Sequence, residues 1–203
     1  MRKGKAIRES DGKSDDLSVA WKNIKQGDKK DFAALFESGS DRLYCYGIKL
    51  VNDKELVKDS IQELFIRLYQ NRHKLPEVDN PIFYLFKSLR NIMIDAIREK
   101  DKLNCLSLEE LPFNVRISWD DEADFGADDS VKEKFDMVIR LLSDRQKEAI
   151  YLRFEANMSY DEIARLLSIN YQSARNLIHR SIEKIRSQMD LKLFVFLFIS
   201  TVK

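Results

Sequence analysis

Seven residues of this 203-residue chain have the types and spacing to do chemistry: Tyr171, Gln172, Ser173, Arg175, Asn176, His179 and Arg180. On a helix they fall on one polar side, while Ala174, Leu177, Ile178, Ser181, Ile182 and Ile185 fall on the other. Asn and Gln can make paired hydrogen bonds to adenine edges, and Arg can do so with guanine. The same Arg side chains can hold phosphates, which fix position without reading sequence. The chemistry implied is recognition of a nucleic-acid groove rather than the making of bonds. His179 fits a surface or phosphate contact better than a metal ligand.

An isolated polar helix face is ordinary, so its setting carries the weight. Ser159 followed by Glu162 forms a capping box, and Ile163, Ala164, Leu166 and Leu167 supply the apolar stripe of a short helix. Asn170 then serves as N-cap for the second helix, with Ser173 at its third position. Two amphipathic helices joined by a tight connection, the second polar and basic outside, have the layout of a helix-turn-helix that places one helix in the DNA major groove.

Few glycines, three prolines and many Leu, Ile, Lys and Glu favour helices, and no sustained strand alternation is present. An all-α protein follows, with room for two small helical domains joined by an acidic linker. The formal net charge of +1 hides two opposed regions. Segment 104–130 holds eight acidic residues against Arg116 alone, so the remainder of the chain carries a net charge of +8. Cys45 and Cys105 lack a partnering spacing and, with His73 and His179, make no zinc pattern. They suit a reducing compartment, and the charged N-terminus lacks the apolar segment of a signal peptide, so a cytoplasmic location is the default. No glycine-rich phosphate loop, metal cluster or nucleophile–base pair is recognisable. Hence no enzyme, no cofactor, no metal site and no small-molecule substrate is expected.

Along the chain, 1–16 reads as a flexible polar N-terminus. A first unit covers 17–103, with helices predicted over 19–26, 29–51, 52–72 (capped by Asn52 with Glu55) and 80–102 (capped by Asn80, with Pro81 first). Segment 104–130 reads as the acidic linker. Its apolar residues Leu106, Leu108, Leu111, Phe113, Ile117 and Trp119 are free to dock on a partner or to fold back. A second unit covers 131–190, with caps at Ser130 (with Glu133) and Ser143 (with Gln146). The tail 191–203 opens with an apolar run too short to span a membrane, best read as buried against the second unit or a partner, with membrane-surface contact as the alternative.

In the third helix, Val57, Ile61, Leu64 and Leu68 share the core side. The other side offers Asp59, Gln62, Glu63 and Ile66, with Phe65 on a flank: an apolar centre in a polar rim, as in a protein–protein contact. The fourth helix carries Phe83, Tyr84, Lys87, Arg90, Asn91 and Arg98. Rings near its start and bases along it suit single-strand binding by stacking and phosphate contact. Phe86 reads as core, whereas Phe83 and Tyr84 fit either the core or stacking.

These residues together resemble an extracytoplasmic-function (ECF) sigma factor. Asp59-Ser-Ile-Gln62-Glu63-Leu-Phe65 is similar to the segment that binds the polymerase clamp helices. Tyr84-Leu85, Arg90-Asn91, Asp95 and Arg98 resemble the helix that reads and melts the −10 element. Leu142-Ser-Asp-Arg-Gln146-Lys-Glu-Ala, Tyr160-Asp-Glu-Ile-Ala and Asn170-Tyr-Gln-Ser resemble the −35 reader. The likeness spans 16–188. It departs at Tyr84, where the family often has Trp, and at the Phe-rich tail, which resembles apolar tails in some sigma factors of the Bacteroidetes type. The resemblance implies core polymerase contacts at Asp59, Gln62, Glu63, Phe65 and Ile66. It implies −10 contacts at Asn80, Phe83, Tyr84, Lys87, Arg90, Asn91 and Arg98, and −35 contacts by the seven residues named first. It further implies three partners: core RNA polymerase, promoter DNA and an anti-sigma factor, usually membrane-attached. The rival reading is a stand-alone, dimeric helix-turn-helix transcriptional regulator, which leaves the third helix unexplained.

Overall fold

A computed structural model describes residues 8–100, 112–115 and 129–200, and among them the only regular structure is helical. The chain divides into two compact units, one built from 1–47 and 53–100, the other from 48–52 and 101–203.

In the first unit α1 (Arg8–Lys25), α2 (Lys29–Leu50), α3 (Lys54–Gln70) and α4 (Pro81–Lys100) wrap a core of Trp21, Leu35, Leu43, Tyr46, Val57, Leu64, Phe86, Leu89 and Met93. Backbone 8–16 is already helical, although its polar composition reads as loose. Asp28 starts α2, its Oδ1 accepting hydrogen bonds from the Lys30 and Asp31 N–H groups. The cap of α3 is Asp53, not Asn52: its side chain accepts from the Leu56 N–H at 3.0 Å. Two adjacent residues were competent to cap, and the later one meets the donor three positions on. Helices α2 and α3 cross closely at Gly47, where an added Cβ would lie 2.7 Å from Val57 Cγ1.

A 3-10 turn (Arg72–Lys74) and an extended stretch lead to α4, and this loop is pinned to α1. Trp21 Nε1 donates to the Pro76 carbonyl at 2.9 Å, Ser18 Oγ donates to that of Asp79 at 3.2 Å, and the Lys25 carbonyl lies 2.9 Å from His73 Nδ1. Lys25 also pairs with Glu77 and, by donating a hydrogen bond, holds that carboxyl below its ordinary range.

In the second unit α5 (Asp129–Leu141), α6 (Asp144–Phe154), α7 (Tyr160–Leu166), α8 (Tyr171–Arg186) and α9 (Leu191–Ser200) share a core of Phe135, Val138, Ile150, Ile163, Ala174, Ile178, Ile185 and Phe194. Helix α5 begins at Asp129, so Ser130 lies inside it rather than at its cap. Ser143 with Gln146 and Ser159 with Glu162 both form full capping boxes. Of the six apolar linker residues named above, Phe113 lies among the described ones. It is fully buried, its ring centroid 5.6 Å from that of Tyr151, so at this point the chain folds back on α6.

The apolar tail is helical. Phe194, Leu197 and Phe198 are buried against the second unit, Phe194 stacking on Phe135 of α5 at 5.1 Å. The density of phenylalanine favours an extended strand locally, but burying Phe194, Leu197 and Phe198 together, at i, i+3 and i+4, suits the helix. Among the described residues no helix is long and apolar enough to cross a membrane.

Candidate functional site

The second unit builds its outward face from local geometry. Leu167 caps the C-terminus of α7, and Ser168 takes a left-handed conformation (φ 55°) that turns the chain. The Ile169 N–H donates to the Ala164 carbonyl at 2.9 Å, closing the turn, and Asn170 Oδ1 accepts from the Ser173 N–H at 2.7 Å. With Ala174, Ile178, Ser181 and Ile185 held inward, Tyr171, Gln172, Ser173, Arg175, Asn176, His179 and Arg180 all stand clear of the core. Ser181, a hydroxyl on the buried side, donates to the Leu177 carbonyl at 2.7 Å and so costs the core little.

Within this outer set, Gln172 Nε2 donates to Asn176 Oδ1 at 3.1 Å, which holds the two amides side by side. His179 Nδ1 lies 3.5 Å from Glu183, and the Tyr171 ring meets Tyr160 edge-on at 6.2 Å. Behind this face, Arg145 donates to the Leu167 carbonyl at the end of α7, and Arg153 donates to the Met158 carbonyl in the loop between α6 and α7. Lys184 donates to the Leu141 carbonyl and to Gln146 Oε1, joining α8 to the turn before α6. The result is a rigid basic and amide-bearing helix aimed at solvent, able to enter a major groove.

Described residues of the first unit line two concavities of interest. One, of about 740 Å³, lies between α2 and α3 and is largely apolar. Gln62, Phe65 and Ile66 line its α3 side, and Phe32, Phe36 and Tyr44 its α2 side. Phe65 is not on a flank: it is buried at the floor, with Phe36 at 4.8 Å and Phe32 at 6.0 Å edge-on to it. Ile66 is 46% exposed at the rim. Asp59, Gln62 and Glu63 lie beside it, Glu63 paired with Arg67 one turn on. Lys58 also lines the cleft, and the Glu55 carboxylate that accepts its hydrogen bond at 3.0 Å raises its pKa. The α2 wall escaped the sequence reading because an i, i+4 pair of phenylalanines looks like core until the partner helix is placed. Phe36, 42% exposed, is only half covered.

The second concavity, of about 350 Å³, lies between α3 and α4. Tyr84, Ser88, Asn91 and Asp95 line it from α4, and Arg67 and Asn71 from the end of α3. Tyr84 is half-buried, its ring 5.0 Å from that of Trp21, and Phe83 is half-buried too. Phe86 is core. Asn80 caps α4, accepting from the Phe83 N–H at 3.2 Å. Lys87 and Asn91 are exposed along the helix, and Arg98 is reachable near its end. Arg90 is only 5% exposed and engaged within the protein, which leaves it far less surface for a phosphate than the sequence suggests. The role of α1, which steadies the Tyr84 ring through Trp21, had no sequence signal beyond a lone Trp.

Comparison with known proteins gives this geometry a context. Residues 35–103 match the family described as Sigma-70 region 2, and residues 132–185 match Sigma-70, region 4. The chain is 19% identical over 180 residues to the ECF RNA polymerase sigma factor SigK of Mycobacterium ulcerans, covering 88% of this chain and 96% of that one. It is 24% identical over 179 residues to the ECF RNA polymerase sigma factor SigW of Bacillus subtilis, covering 83% and 94%. Among solved structures it is similar in fold to the sigma factor RpoE in complex with the anti-sigma factor NepR from Bartonella quintana. The TM-score is 0.56 and the identity 21%, over 78% of this chain and 96% of that one.

Proposed function

Since the chain belongs to the ECF sigma factors, which bind core RNA polymerase and direct initiation at specific promoters, we propose how its own residues divide that work. Asp59, Gln62, Glu63 and Ile66 of α3 meet the polymerase, with Phe65 flooring the cleft beneath them. Lys87, Asn91 and Arg98 of α4, with Asn80, Phe83 and Tyr84 at its start, engage the opened −10 strand. A base unstacked from that strand costs a few kcal/mol to expose, offset by ring stacking and hydrogen bonds from groups such as Asn91. Tyr171, Gln172, Ser173, Arg175, Asn176, His179 and Arg180 enter the major groove at the −35 element. The acidic segment 104–130 follows the path of nucleic acid within the polymerase. The chain acts in the cytoplasm, catalyses nothing itself, and is held inactive by a membrane-attached anti-sigma factor until a signal releases it. The complex of the similar Bartonella quintana sigma factor with an anti-sigma factor supports a partner of that kind.

The observation that carries this reading is the pairing, in one chain, of an apolar-centred acidic face on α3 with an amide-and-arginine face on α8. A stand-alone regulator needs only the second. The test is run-off transcription by purified core polymerase on a library of genomic fragments, with and without the chain. New, discrete start points are expected, each preceded by paired −10 and −35 elements. Unchanged starts would remove the proposal.

A further inference from the structure

The loop that leads to Asn80 lies along one side of α1. Its contacts come from Ser18, Trp21 and Lys25, spaced as i, i+3 and i+7, and they meet Asp79, Pro76 and His73 in turn. Trp21 is the middle contact and is 1% exposed. An indole has one N–H donor and no acceptor, and here that donor is given to the Pro76 carbonyl. Trp21 does not itself line the concavity between α3 and α4, yet it grips two parts of the wall. One part is Leu75, which Pro76 restricts to extended backbone (φ −60°, ψ 137°), so fixing the Pro76 carbonyl fixes Leu75 as well. The other is Tyr84, whose ring meets the indole edge-on with centroids 5.0 Å apart.

We propose that Trp21 is a positioning residue for −10 recognition. Through the Pro76 carbonyl and the Tyr84 ring it sets the width and tilt of a concavity that receives one unstacked base. This rests on the −10 reading of α4 above. Trp21 is too deeply buried to touch DNA and acts only through those two groups. A base stacked on Tyr84 takes its tilt from the indole behind it. The rest of the lining suits a base edge, since Ser88 and Asn91 carry both donors and acceptors. A wall held in place beforehand favours the base that fits it, so loosening the wall costs discrimination more than gross binding.

The test uses holoenzyme assembled from core polymerase and the full chain, with two probes. One is a single strand copied from the −10 region of a promoter found by run-off transcription, and the other is the same strand with its bases scrambled. The quantity measured is the ratio of the two affinities. A merely structural weakening lowers the competent fraction and scales both affinities alike, so it leaves the ratio unmoved. Trp21→Phe keeps a ring beside Tyr84 and removes the N–H. It should narrow the ratio about fivefold, in line with one buried hydrogen bond, with polymerase affinity unchanged. A ratio equal to that of the unaltered chain overturns the proposal. Ser18→Ala frees the Asp79 end of the loop and leaves Trp21 in place, so it should narrow the ratio less, by about twofold. If Trp21→Phe fails to assemble, that smaller narrowing decides, and its absence overturns the proposal. An unaltered holoenzyme that does not distinguish the two strands defeats the −10 reading together with this inference. One that does, matched by Trp21→Phe, defeats the inference alone.

Discussion

Helices α3 and α8 each bury a stripe of aliphatic side chains and turn a polar face outward, yet the two faces differ in kind. That of α3 sets acids and an amide around Ile66 at the lip of an aromatic cleft, whereas that of α8 sets amides and arginines around no apolar centre. The inner halves obey the same period and packing. The partner is therefore written in the outer half alone: apolar surface ringed by charge suits another protein, and paired donors and acceptors on a rigid rod suit base edges.

Four changes can break or sharpen that contrast. The largest is Glu63→Lys, which reverses the charge beside the cleft and sets a second cation next to Arg67. Like charges facing one another across an interface cost several kcal/mol, so polymerase affinity should fall about 100-fold or more with helicity unchanged, as read by co-elution and circular dichroism. Unaltered co-elution would take α3 out of the contact. Next, Arg175→Ala should weaken use of the −35 element by about 1–3 kcal/mol without touching polymerase affinity. With Arg180→Ala added, the log–log salt dependence of promoter-fragment binding should become shallower by about 2, and the same pair should leave the salt dependence of polymerase binding as it was. Third, Ile66→Ala removes a partly exposed apolar side chain, so polymerase affinity should drop by about 1 kcal/mol, measured by titration. A loss as large as that for Glu63→Lys would make the apolar centre, not the rim, the main source of affinity.

The smallest effect concerns acid. Lys25 holds the Glu77 carboxyl below its ordinary value near 4.5, so the pair stabilises the first unit above that pH and the benefit fades as pH falls through the lower, folded-state value. Both groups are reachable by solvent, so the contribution is small. Glu77→Gln should flatten the acid limb of unfolding for probes at Trp21 and leave exchange of α8 amides unaffected. An equal change in both units would mean that they do not unfold separately.

How much of this was legible follows from range. The caps at Ser143, Ser159 and Asn170 and the two faces of α8 depend on residues within one or two turns, and the chain spells them out. The helix over 8–16 was not legible, because its composition carries no apolar period. The aromatic cleft was hidden too: Phe32 and Phe36 become a wall only when Phe65, some thirty positions on, arrives opposite them. Arg90 looked like a phosphate ligand by type, and its burial is a tertiary fact. The tail misleads locally, since phenylalanine density says strand while its fit against Phe135 says helix.

The missing side chain at Gly47 acts as a caliper. Even a methyl group there would meet Val57 at 2.7 Å and wedge two rods apart, and the aromatic cleft is the gap between those same rods farther along. If α3 meets polymerase as proposed, a substitution that never touches it would reset the jaw width before it arrives, and the chain would lose its machine while every contact residue remained intact.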